Sequence, residues 1–247
     1  MKKRTTRFSI PVTVQLIAAI ALCLLILPAT SLAQKKTSPR KERKAATRQQ
    51  IAQLHQGALL VRLQTKSNSI AALRRIGKVS AADKIEANQL ELNKEIVQAF
   101  SANLDFCPTY FFFSDQSEKV YNKQLEEIVF LDKNLQPDST IQLKTTNFLT
   151  AEFGQVTQDT LKKFDTYYDT EGKNGPTKEA RYQGSSSMGF GALVIKSEQF
   201  VQLRKPFPFY VKTYDSVSPF KRPSSTTVAL MNTKLHKYYK KAQKRNR

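Results

Sequence analysis

Hydrophobic residues fall along this chain in three patterns. The first is a block: no residue from Phe8 to Pro28 is charged, and Leu16 to Leu27 reads LIAAIALCLLIL. The second has a helical period. Ile51 and Leu54 share one side of a segment from Ala45 to Gln56 that Gly57 stops. Ile70, Leu73 and Ile76 do the same from Ser67 to Ile76, ahead of Gly77. Ser80 with Asp83 resembles a capping box opening a helix over Ala81–Asn103, whose stripe is Ile85, Leu92, Ile96, Ala99 and Phe100. The spacing also predicts a short helix over Gln158–Tyr168, on Leu161, Phe164 and Tyr168. A last helix starts near Ser224, on Val228, Met231, Leu235 and Tyr238.

The third pattern is strand-like. Residues 58–65 (ALLVRLQT) alternate, and 106–113 (FCPTYFFF) form a dense aromatic run. Residues 125–131, 140–144 and 147–153 predict three further strands, with Asn134, Pro137, Asp138 and Ser139 turning between the first two. Two more are expected at 190–196 and 207–213, and a long loop at 169–189. Strand, helices, strand on the N-terminal side implies a parallel crossover. Together these elements predict one α/β or α+β domain over residues 45–223. Its mixed sheet has about six strands, the crossover being followed by an antiparallel meander. Residues 34–44 are expected to be a basic linker, and residues 224–247 a closing basic helix and tail.

The apolar block changes meaning once its flanks are included. Lys2, Lys3, Arg4 and Arg7 precede it, and Ser31 and Ala33 are small residues three and one before Gln34. This is the form of a secretory signal cleaved between Ala33 and Gln34, so residues 1–33 are assigned to it. At about 1.5 Å per residue the block is also long enough to cross a bilayer, so a permanent anchor through residues 8–28 is the competing reading. Both readings export the rest of the chain, to the periplasm or the cell exterior.

Charge is concentrated rather than spread. Of a net +20, the leader carries +4, residues 35–48 carry +6 and residues 232–247 carry +7, which leaves +3 for residues 49–231. A near-neutral domain with basic ends argues against specific nucleic-acid binding and for screened attraction to polyanions. The residues expected to contact an anionic surface are Lys35, Lys36, Lys41, Arg43, Lys44, Lys240, Lys241, Lys244 and Arg245.

Candidate chemistry is sparse. Gly184-Ser-Ser-Ser-Met-Gly189 has half the spacing of a phosphate loop, but Phe190 and Gly191 stand where Lys and Ser or Thr are required. The same run lacks the first glycine of a serine-hydrolase elbow. The chain's two histidines, His55 and His236, have no ligand spacing, so no metal and no cofactor is expected. Export removes Cys23 with the leader and leaves Cys107 as the one thiol, a weak candidate for a catalytic nucleophile. The expected function is therefore an exported, non-catalytic domain that binds anionic envelope material or an envelope protein. An exported enzyme with an unrecognised site, such as a thiol nucleophile at Cys107, is the alternative.

Overall fold

ALLVRL offers apolar side chains to both faces of a sheet, and the computed structural model places it at the sheet centre as strand β1 (Ala58–Leu63). The structure describes residues 38–156, 164–169, 177–182, 190–215 and 221–244. Parallel to β1 run β2 (Thr109–Phe113) on one side and β5 (Phe148–Val156) on the other. The flanks are antiparallel: β3 (Phe130–Leu131) and β4 (Pro137–Asp138) beyond β2, and β8 (Phe190–Lys196) and β9 (Tyr210–Lys212) beyond β5. The order in the seven-stranded sheet is β4-β3-β2-β1-β5-β8-β9. The expected mixed sheet is thus present, with its parallel crossover on the N-terminal side.

Five helices accompany it among the described residues: α1 (Pro39–Gln56), α2 (Ser67–Arg75), α3 (Val79–Asn103), the short α4 (Ser117–Tyr121) and α5 (Ser224–Gln243). Helices α1, α3 and α5 cover one face. Ile51 and Leu54, Ile96 and Phe100, and Val228, Met231 and Leu235 pack there on Leu59, Val61, Leu63, Phe111 and Ala151. The other face carries Ala58, Leu60, Phe112 and Phe148. The connection from β2 to β5 covers it with Val120 and Ile128, and with half-buried Leu125, Ile141 and Leu143.

Several expectations need correction. The basic linker ends early, because α1 begins at Pro39, a residue suited to the first helical turn. Residues 125–131 are not one strand. Leu125–Glu127 is a 3-10 turn, and the amide of Gln116 takes both backbone groups of Val129, at 2.8 and 2.9 Å, in place of a neighbouring strand. Residues 140–144 join no ladder. Phe164–Asp169 is strand β6, not the end of a helix, and Thr177–Tyr182 within the expected loop is strand β7. The two pair antiparallel. The glycine-serine run of 184–189 lies outside the described residues. In α3, Leu92 is exposed, whereas Gln89 and Asn93 are buried. Asn93 donates to the carbonyl of Gln64 at the end of β1 (2.9 Å), and Gln89 donates to Asn93 (3.0 Å), so helical register serves hydrogen bonding there.

Candidate functional site

The helices that carry the two basic ends of the domain pack together. Helix α1 packs on α5 through a hydrogen bond between the Thr47 and Tyr238 hydroxyls (2.9 Å) and a stack of His55 on Tyr239 at 4.1 Å and 7°. The first ten residues of α1 carry Arg40, Lys41, Arg43, Lys44 and Arg48 against one acid, Glu42. The second half of α5 and its cap carry Lys234, Lys237, Lys240, Lys241 and Lys244 with no acid at all. At about 100° per residue these five lysines fall within an arc of about 120°, away from the buried Val228, Met231 and Leu235. Of the anionic-surface residues expected from the sequence, Lys41, Arg43, Lys44, Lys240, Lys241 and Lys244 are thus brought onto neighbouring helices. Lys35, Lys36, Arg245 and the Ala33–Gln34 junction lie outside the described residues.

The helix dipole separates the two groups of cations. Lysines in the last turn of α5 are favoured, because the unpaired carbonyls there carry partial negative charge. Arg40 and Lys41 in the first turn of α1 face unpaired N–H groups, and each costs a few tenths of a kcal/mol. The helix dipole therefore favours the cations in the last turn of α5 and disfavours those in the first turn of α1.

A second polar cluster lies at the carboxyl ends of the parallel strands. Glu152 on β5 is buried between Arg62 of β1, at 2.8 Å, and Lys196 of β8, whose ammonium donates to the other carboxylate oxygen. Burial alone would raise the carboxyl's pKa. Hydrogen bonds from Lys196 and Arg62, with their charges, outweigh it and hold the carboxyl below its ordinary range. The Nε of Arg62 donates to Ser117 at 2.7 Å, and the guanidinium lies 5.6 Å from the Phe200 ring. Further along the rim the hydroxyls of Thr65 and Ser67 donate to Asp115 at 2.7 and 3.1 Å. This cluster escaped sequence reading. Its signal is one lone charge in each of three apolar strand sequences, ALLVRL, FLTAEFGQV and FGALVIK. With both cations committed to Glu152, the arrangement ties β1, β5 and β8 together.

Cys107 is buried, and burial pushes its thiol up to about 12. Both histidines do approach this region, but the ring each meets edge-on is that of Phe106, at 5.1 Å in either case. Nε2 of His236 is engaged with Asp105 at 2.8 Å, and that hydrogen bond, followed by one from Asn232, holds the Asp105 carboxyl below its usual range. A protonated, enclosed thiol lacks the thiolate that a nucleophile requires. Maleimide labelling of Cys107 at pH 8 is expected to be at least about a hundredfold slower in the native protein than in urea. Equal rates would place the thiol at the surface.

No group of histidine, cysteine and carboxylate side chains among the described residues could hold a metal ion. No helix among them is long and apolar enough to cross a membrane, and residues 8–28 lie outside them. Comparison of the chain with protein-family models, curated proteins and solved structures finds no match.

Proposed function

We propose that the protein is an exported, non-catalytic domain that attaches to anionic envelope material through the face shared by α1 and α5. The observation that carries this reading is the run of Arg40, Lys41, Arg43 and Lys44 at the start of α1, where the helix dipole penalises the first two, on a helix packed against the lysine-rich α5. The sequence supplies the rest of the support. A basic, apolar and small-residue leader directs the chain outward, and the near-neutral balance of residues 49–231 confines the excess charge to the two ends of the chain.

Deleting either basic segment is a poor test, because Thr47, Leu235 and Ala242 within them are buried. Exposed charges can be neutralised instead. Lys240→Gln with Lys241→Gln is expected to weaken binding to vesicles of phosphatidylglycerol and phosphatidylcholine about thirtyfold, since each lysine near such a surface contributes about 1 kcal/mol. Arg40→Gln with Arg43→Gln on α1 should weaken it comparably. Both pairs should flatten the loss of binding with salt, and pure phosphatidylcholine vesicles should bind none of the proteins. Binding unchanged by either pair, or insensitive to salt, would contradict the proposal.

A further inference from the structure

We infer that residues 141–146 form an unpaired strand that accepts an extended peptide segment of a protein partner. The sequence TIQLK has the alternation of a strand. The structure keeps that alternation: Ile141, Leu143 and Thr145 are half-buried, while Gln142, Lys144 and Thr146 are exposed. Ile141 and Leu143 rest on the apolar cluster of Phe112, Val120, Ile128 and Phe130. No residue of this stretch has a positive φ, and none belongs to a helix or ladder. Its neighbours are bonded on both sides. Ile141 donates to the carbonyl of Asp138, and the carbonyl of Asn147 accepts from Ala58. Among the described residues, the backbone N–H and C=O groups of residues 142–146 have no hydrogen-bond partner. Such a row of free donors and acceptors on a fixed, half-buried segment is a template for one more strand.

Beside it there is room for one. A groove of about 790 Å3 runs between residues 123–127 and 143–146. Leu125 and Leu143 supply apolar lining, and both are packed on the core beneath. Charge in the walls is balanced, with Lys123 and Lys144 against Glu126 and Glu127, and Lys123 is already paired with Glu198 at 3.0 Å. A polyanion finds no excess positive charge here. An extended backbone with an aliphatic side chain at alternate positions would satisfy both the free amides and the leucines. This binding mode rests on different residues from the α1–α5 face.

The test is selection of random heptapeptides displayed on phage against the immobilised protein, followed by synthesis of the best binder. Enriched sequences should carry aliphatic residues at alternate positions. The bound peptide should slow amide hydrogen exchange at residues 142–146 at least tenfold. N-methylation of the peptide should abolish binding at every second residue and be tolerated at the residues between, a readout that leaves the fold of the protein untouched. Lys240→Gln with Lys241→Gln should bind the same peptide unchanged, which separates this site from vesicle attachment. Failure to enrich any sequence, binders that tolerate methylation throughout, or protection confined to other segments would each overturn the inference.

Discussion

Glu152→Gln is expected to destabilise the fold by about 3 kcal/mol at neutral pH, a loss that shrinks in acid. Removing one member of a buried ion pair costs about 3–5 kcal/mol, because the partner charge stays buried and uncompensated. Here two partners are left, Arg62 and Lys196, but their side chains keep 26% and 20% exposure, which moves the expected cost to the low end of that range. The pH dependence follows from the direction in which the carboxyl is shifted. Its folded value lies below the unfolded one. The contribution is therefore complete above the ordinary carboxylate range and fades as pH falls through the lower folded value. Urea denaturation of both proteins at pH 7 and pH 3 checks this. A gap that stays constant between the two pH values would mean that ionised Glu152 does not stabilise the fold.

Elements that bury an uninterrupted apolar pattern were legible in the sequence. β1, β2, β5 and β8 lie within or close to the predicted spans, and so do α2, α3 and α5. The hairpin of β6 and β7 was not legible, for a geometric reason. Phe164 and Tyr168 are four residues apart, and a spacing of four places two side chains on the same side of a helix and of a strand alike. The start of α1 was hidden differently. KERK has no apolar member, so no period marks it, although a helix with a solvated first turn needs none. The strand expected at 140–144 is absent from the sheet, because an alternating pattern carries no information about whether a partner strand exists.

The proposed anion-binding face was legible residue by residue and not as a face. The basic runs stand out in the sequence, yet the hydrogen bond that joins their helices runs from Thr47 to Tyr238, which are 191 positions apart. The ion cluster was less legible still. A single Glu within NFLTAEF reads as the polar member of an alternating strand, and only the strand order, with β1 and β8 on either side of β5, gives it two cationic neighbours.

The junction of α1 with β1 rests on one glycine, and Gly57→Ala is expected to cost at least about 3 kcal/mol, beyond the usual range for a methyl group forced into a packed site. Gly57 joins α1 to β1, and it does not use a left-handed backbone, so alanine is not penalised there for its φ. The cost is contact. A Cβ on Gly57 would lie 2.7 Å from the carbonyl oxygen of Gln53 and closer still to that of Asn147. Both are backbone atoms, and neither can turn aside as a side chain would. The Asn147 carbonyl already accepts from Ala58 at 3.1 Å, one residue before Phe148 opens the pairing of β5 with β1. Room for the methyl requires the end of α1 to draw away from this junction, which disturbs the parallel pair and the burial of Leu54 together. Gly77→Ala is the fitting contrast. Gly77 has a φ of +75° and no atom within 4 Å of an added Cβ, so its substitution should cost only about 1 kcal/mol of backbone strain. Urea titration of the two variants discriminates sharply. Equal losses would mean that the α1–β1 junction yields easily and that the burial of Ile51 and Leu54, with the contacts to α5, is enough to hold α1.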